Sequence, residues 1–241
     1  MICDPRGSRW RKWDLHFHTP ASYDYLNKSV DAQALVDGLK AAEVEVVAVT
    51  DHHVLDVHLI REMQRLGGNE LTILPGIELR SELGGSEYVH YIGIFPEDWD
   101  LDDLWIKLQS LGITAADVQK QGDESVYVPI ETGGQKIRDL GGIVTVHAGK
   151  KSNTIETLSN ADAVKRTVKT DLAHRHLHAL EVGRVADCVG YREIVFPHIG
   201  KKLPLILCSD NHDISAYAPK CPLWIKADPG FLGLLQILNE P

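Results

Sequence analysis

The chain holds only four cysteines, Cys3, Cys188, Cys208 and Cys221, with no Cys-x-x-Cys spacing, too few to staple 241 residues. A reducing cytoplasm is therefore expected. Positive charge is also scarce: 25 Lys plus Arg face 34 Asp plus Glu, a balance that would repel a phosphate backbone if evenly spread and that excludes a basic nucleic-acid-binding module. No apolar run approaches the roughly 18 residues needed to span a bilayer. The basic start (Arg6, Arg9, Arg11, Lys12) leads into Asp14 and His16 with no apolar h-region, so a soluble, unprocessed chain is expected. There is no internal repeat, no low-complexity segment, no Pro/Gly/Ser linker and no Gly-x-x-x-x-Gly-Lys-Ser/Thr phosphate loop. With 44% hydrophobic residues the chain can bury one large core, and a single domain over 1–241 is expected.

What is present is alternation. Short β-rich runs at 12–18, 44–51, 71–79, 87–95, 142–148, 179–183, 203–209 and, less clearly, 221–227 alternate with helix-period runs, the pattern of βα units around a mainly parallel sheet. Asp31 predicts a cap for a helix over 32–42, and Leu55 to Leu66 carries an apolar stripe ended by Gly67-Gly68. Residues 98–141 read as helical, with a possible insertion around Gly122 to Val128; 154–178 and 187–200 supply further crossovers, and Phe231 to Leu238 a last amphipathic helix. Seven or eight strands in this length favour a (β/α) barrel, whose catalytic groups gather at the C-terminal ends of the strands.

Twelve histidines are the unusual count, and their placement follows that rule. His16 and His18 close the first strand, two apart and so on one face. The apolar run Val46-Val47-Ala48-Val49 leads into Thr50-Asp51-His52-His53, a charged terminus that would be costly if buried without partners. Glu78 ends the third strand, His147 the fifth, and Leu205-Ile206-Leu207-Cys208 delivers Ser209-Asp210-Asn211-His212, with Asp210 and His212 on one face. Any one of these reads equally as a satisfied polar group; five strands ending in metal-type ligands do not. His90 lies on the return strand of a hairpin turning at Leu83-Gly84-Gly85. A three-residue loop sets Ser86 against Glu82 and His90 against Glu78, whereas a two-residue Gly84-Gly85 loop turns His90 to the other face.

The ordered set His16/His18, Asp51/His52, Gly76-Ile77-Glu78, His147 and Ser209-Asp210-x-His212 resembles the PHP (polymerase and histidinol phosphatase) family over nearly the whole chain. The resemblance implies a distorted seven-stranded TIM-like barrel, a (β/α)7 fold, with two to three divalent ions of zinc, manganese or iron. It implies that His16, His18, Glu78 and Asp210 hold one ion, that Glu78 bridges to a second held by His90 and His147, and that Asp24, His52 and His212 hold the third. Asp24 stands where many members carry histidine. The stretch Arg9 to Asp24 is closer still to the PHP domain at the N-terminus of TrlF-like proteins, and Phe231 to Pro241 resembles the stretch leading into the SMC-like ATPase that follows there. The chain would then be the nuclease head of a longer, ATPase-containing protein of DNA repair or phage defence, with that C-terminal ATPase as partner.

Three bound divalent ions would add about +6 and reverse the field inside a carboxylate-lined cleft. They would activate water and clamp a phosphoester, so His16, His18, Glu78, Asp210 and His212 are the residues expected to carry catalysis. Asp51 is expected either to orient His52 from behind or to be structural. Arg80, Lys150, Lys151 and Arg184 follow strand ends and are candidate phosphate contacts, though each taken singly reads more readily as a solvated surface charge. His174, His176 and His178 precede their strand and read as surface at the other end of the barrel. The favoured activity is a nucleic-acid phosphodiesterase; a phosphomonoesterase such as histidinol-phosphate phosphatase and a non-catalytic assembly barrel are the alternatives.

Overall fold

The computed structural model describes residues 9–82, 88–122, 126–157, 163–219 and 221–239. In chain order the elements are β1 (Trp10–Phe17), α1 (Ala32–Ala41), β2 (Val44–Val49), α2 (Val57–Gly67), β3 (Thr72–Glu82), β4 (Tyr88–Ile94), α3 (Leu101–Gln109), α4 (Ala115–Gln119), α5 (Ile130–Asp139), β5 (Ile143–Ala148), α6 (Ala163–Arg175), β6 (Ala179–Val182), α7 (Asp187–Gly190), α8 (Phe196–Ile199), β7 (Leu205–Ile206), β8 (Leu223–Lys226) and α9 (Phe231–Asn239). Asp31 and Asp56 cap α1 and α2 through their side chains, and Gly68, at φ 58°, ends α2 in a left-handed conformation that suits glycine.

The strands form one sheet in the order β7-β6-β5-β4-β3-β2-β1-β8. β1, β2 and β3 run parallel, β4 is antiparallel to both neighbours, and β5, β6 and β7 are parallel again. β8 pairs antiparallel with the first half of β1, and a bridge from Phe17 to Asn211 joins the two ends of the sheet into a nearly closed barrel. This is the α/β barrel expected from the alternation. Its interior is apolar at one end, where Leu74, Ile92, Ile143, Ala179 and Ile206 meet Phe231 and Leu234 of α9; a second apolar layer lies between the sheet and the outer helices.

Two local expectations are corrected. The seventh strand is not 203–209 but two residues long, because Pro204 has no N–H and the chain then leaves β6 for β1. There Asp210 N–H donates to the His16 carbonyl (2.9 Å) and His18 N–H to the Asn211 carbonyl (3.2 Å). Asp210 and His212 therefore lie on a loop, with Asp210 at φ 49°, rather than on one face of a strand. In the hairpin His90 pairs with Arg80 and Glu78 with Ile92, one pair out from the expected register. A two-residue shift preserves the face, so His90 still meets Glu78, diagonally. The turn itself, like Cys3 and residues 123–125, lies outside the described residues.

Candidate metal centre

Inward positions of a barrel strand repeat every two residues, and along these strands they change from apolar to ionisable. β3 reads Leu74, Gly76, Glu78; β5 reads Ile143, Thr145, His147; β6 reads Ala179, Glu181. β4 runs the other way and its order is reversed, His90 first and then Ile92 and Ile94. All the ionisable ends consequently meet at one mouth of the barrel.

His16 Nε2 and His18 Nε2 lie 3.0 Å apart, each 3.1 Å from Glu78 Oε2, and 3.4 and 3.3 Å from Asp210 Oδ1. A tetrahedral cation with bonds of about 2.0–2.1 Å spaces its ligands about 3.3–3.4 Å apart, so these four atoms fit one small divalent ion. The tautomers agree. Ser22 Oγ donates its single proton to Asp51 Oδ1 (2.8 Å) and so accepts from His18 Nδ1–H (2.8 Å), which leaves His18 Nε2 a bare lone pair. His147 Nδ1–H donates to the Ser152 carbonyl (3.1 Å), His212 Nδ1–H to the Asp210 carbonyl (3.0 Å), and His16 Nδ1–H to Glu181 Oε2 (2.9 Å). Bare nitrogen lone pairs facing one another and carboxylates repel unless a cation or protons lie between them.

Glu78 uses its other oxygen for His90 Nδ1 (2.6 Å), with His147 Nε2 at 3.7 Å. Asp24 Oδ2 is 3.1 Å from His212 Nε2 and 3.5 Å from His52 Nε2. His212 Nε2 and Asp24 Oδ1 are buried with no aligned hydrogen-bond partner. Two orphaned polar atoms at that spot are what a third cation position would leave. Two further close groupings cut across the expected trios: His16 with His147 and Glu181, and His52 with Glu78 and His90.

Burial pushes the Glu78 carboxyl up, yet the charges of His52, His16 and His90 overcome it and hold it well below the carboxylate range. Asp210 and Asp24 are likewise depressed, by the nearby histidines against the pull of burial. His18 shows the reverse: burial lowers it, but Asp210 and Glu78 raise it to about 9. His16 is raised well above its usual value, Glu181 and Asp210 outweighing burial. Without a metal, protons on His16 and His18 take the place of the cation.

Asp51 does not touch the His52 ring as expected. Its carboxylate accepts from Thr19 N–H (2.7 Å), Thr19 Oγ1 (2.6 Å) and Ser22 Oγ, so it fixes the loop after β1 and, through Ser22, the ring of His18. Among the candidate phosphate contacts, Lys150 and Arg184 are exposed and Arg184 pairs with Asp187 (3.0 Å). Arg80 is buried, with its guanidinium 5.5 Å over the Tyr88 ring. The cation that reaches the cluster is Lys151: it bonds Glu181 Oε1 and lies 3.0 Å from Asp210 Oδ2. His174 is exposed, as expected of a surface residue. His176 is half-buried and packs against Gly134, and half-buried His178 accepts from Val144 N–H (3.0 Å).

Glu181 is the functional residue that motif reading missed; its signal was one carboxylate in Ala179-Leu180-Glu181-Val182, two residues beyond an inward alanine. Asp14 was passed over too. It is buried and accepts from Ser209 N–H (3.0 Å) and Tyr217 Oη (2.8 Å), tying the Asp210 loop to β1. His53, adjacent to His52, joins no such grouping among the described residues. Burial and the Arg80 charge lower it to about 3, its backbone sits at φ 52°, and its N–H donates to the Glu78 carbonyl (2.8 Å).

No family model and no curated protein matches this sequence. Solved structures do match in fold. Endonuclease Q bound to a 27-mer duplex with an abasic lesion superposes with a TM-score of 0.71 at 13% identity, over 96% of this chain and 57% of that one. A two-domain protein from Bacteroides vulgatus, containing a predicted PHP-like metal-dependent phosphoesterase, gives 0.61 at 16% identity, over 99% of this chain and 65% of that one. An amidohydrolase from Chromobacterium violaceum with bound sulfate and no metal gives 0.58 at 15% identity, over 95% and 96%. The chain thus has the barrel shared by PHP-like phosphoesterases and endonuclease Q, and it spans little more than half of the latter. Among the described residues no helix is long and apolar enough to cross a membrane.

Proposed function

We propose that this chain is a metal-dependent phosphoesterase of the PHP type that cleaves phosphodiesters in nucleic acid. The observation that carries the reading is the convergence of His16 Nε2, His18 Nε2, Glu78 Oε2 and Asp210 Oδ1, all within 3.4 Å of His16 Nε2, with the histidine tautomers set so that lone pairs face inward. His16, His18, Glu78 and Asp210 would hold one divalent ion. Glu78, His90 and His147 would hold a second, and Asp24, His52 and His212 a third. Zinc, manganese and iron suit this donor set of imidazole and carboxylate. Such ions supply Lewis acidity, activation of water at neutral pH and neutralisation of phosphoryl charge.

The chain's own residues do the rest. Asp51 and Ser22 hold the His18 ring, Glu181 holds His16, and the strained Asp210 loop is pinned by Asp14. Lys151 balances carboxylate charge beside the phosphate position. Nucleic acid is favoured over a small phosphomonoester by the fold shared with endonuclease Q and by the short connections after β2 and β6. The likeness of residues 9–24 and 231–241 to TrlF-like proteins supports a longer cytoplasmic protein in which an ATPase follows this domain.

The test is hydrolysis by the metal-reconstituted chain of an aryl phosphodiester, single-stranded DNA and frayed duplex, beside histidinol phosphate. Diester cleavage abolished by chelation and restored by metal is expected. Hydrolysis of the monoester alone would replace this reading with a phosphatase; metal binding without hydrolysis of any substrate would leave an assembly barrel.

A further inference from the structure

Next to the metal centre, and sharing Asp210 with it, is a cavity of about 480 Å³ walled by the connection after β6 (Gly183, Arg184, Val185), the Cys208 to Asn211 loop and the Ala216 to Pro219 segment. Its size falls within the range of small-ligand pockets, roughly 300–1,000 Å³. We infer that this cavity seats a single nucleoside attached to the reacting phosphate, an inference that rests on the phosphodiesterase reading and names which part of the substrate the protein grips.

The anion end of the ligand is set by Lys151. Of its three N–H donors, one goes to Glu181 and one to Asp210 (3.0 Å), and the third is left for a phosphoryl oxygen at the junction of cavity and cluster. Gly183 suits this placement: a Cβ there would stand 3.0 Å from the Lys151 backbone nitrogen and 3.1 Å from the Lys150 carbonyl carbon, so a side chain would shift the lysine loop by a few tenths of an ångström. Arg184 stands at the rim with its charge paired to Asp187 (3.0 Å), so Lys151 is the cation that meets the ligand, and among the lining residues Asp210 is the lone carboxylate, already committed to His16, His18 and Lys151.

The other end of the ligand is neither a bare phosphate nor a sugar. Val182, Val185, Leu207, Ala218 and Pro219 give aliphatic walls, which suit a flat, weakly hydrated ring better than a ring of hydroxyls. Asn211 gives its side-chain carbonyl to Asp213 N–H (3.0 Å), which leaves its NH2 group for an acceptor on the ligand. Aliphatic faces, a free amide donor and a cation on the side of the metals describe a nucleoside with its phosphate directed at the cluster.

The experiment is equilibrium binding to the manganese-reconstituted chain of three probes: a nucleoside 5′-monophosphate, ribose 5-phosphate and inorganic phosphate. It is repeated with Ala218→Trp, which fills the cavity from an exposed position that is not itself a candidate metal ligand. The native chain should bind the nucleotide about tenfold or more tighter than either other probe, and Ala218→Trp should abolish that preference while inorganic phosphate binds as before. Equal affinity for nucleotide and ribose phosphate would overturn the assignment in favour of a sugar phosphate. An undiminished preference in Ala218→Trp would place the nucleoside elsewhere. Because binding is read without turnover, nucleotide preference with no diester cleavage would sink the phosphodiesterase reading and leave the pocket standing; cleavage without preference would do the opposite.

Discussion

His16 Nδ1 lies 2.9 Å from Glu181 Oε2, and both side chains are fully buried. The pair links β1 to β6 across the barrel and fixes which imidazole nitrogen carries the proton. With Nδ1–H donated to Glu181, His16 Nε2 is left to face His18, Glu78 and Asp210. Glu181 in turn is held ionised: burial raises it, but His16 and Lys151 bring it down to about 2. The carboxylate therefore stays charged across the physiological range, and Lys151 offsets its buried charge.

A buried carboxylate behind a metal-binding histidine typically contributes 10–100-fold in metal affinity. Glu181→Gln should therefore weaken binding at the His16 position by about that factor. Titration of the chelated protein with zinc, compared between native and variant, measures it. An unchanged affinity would mean that Glu181 only fills space.

The fold was readable because each strand run was bounded by turn chemistry and matched a helix-period neighbour. His16 and His147 of the cluster were readable because they fall at the ends of β1 and β5, whereas His212 was found by its motif although it lies on a loop. Glu181 escaped because a single carboxylate inside a four-residue strand carries no motif; only the inward parity with Ala179 marks it. Lys151 stood beside Lys150 with nothing in the sequence to choose between them; the fold turns Lys151 onto Glu181 and Asp210 and leaves Lys150 exposed. The Asp51 contact and the hairpin register are not fixed by spacing: the β1 loop folds back onto Asp51, and Arg80 rather than Glu78 pairs with His90.

Asp210→Asn should lower phosphodiester hydrolysis by at least about 100-fold, the usual cost of removing one group that stabilises transition-state charge, while the barrel stays folded. Asn tolerates the φ of 49° as Asp does, so the loss would report on charge and not on the loop. His174→Ala, at an exposed position, should leave turnover unchanged. Near-native turnover of Asp210→Asn with metal present would move the chemistry away from this cluster.

His178 predicts part of the acid sensitivity. Burial and the charges of Arg138 and Lys201 lower it from 6.5 to about 4, while its Nδ1 accepts from Val144 N–H (3.0 Å). Folding thus favours the neutral ring, so its contribution is fully present above pH 6.5 and is lost as pH falls through about 4. His178→Asn keeps an acceptor that does not titrate in this range. Thermal melts with chelator present should show a smaller loss of Tm for the variant than for the native chain between pH 6.5 and 4; parallel curves would refute the assignment.

The third metal position rests on Asp24, where an imidazole would be the commoner donor. Its carboxylate faces both His52 and His212, and those rings hold it well below the carboxylate range against the upward pull of burial. An ionised carboxylate can serve as a ligand, and an amide is a poorer one. Asp24→Asn should therefore bind one fewer divalent ion per chain by elemental analysis after reconstitution. It should also lose part of the stabilisation that metal gives: a ligand at 100 times its Kd contributes about 2.7 kcal/mol to the folded state, so the gap in Tm between metal-loaded and chelated protein should narrow. His16, His18, Glu78 and Asp210 do not depend on Asp24 for their geometry, and the first ion should remain. If native and Asp24→Asn proteins carry the same number of ions and show the same gap in Tm, the His52–His212–Asp24 trio is a hydrogen-bonded wall of the site and not a third metal position.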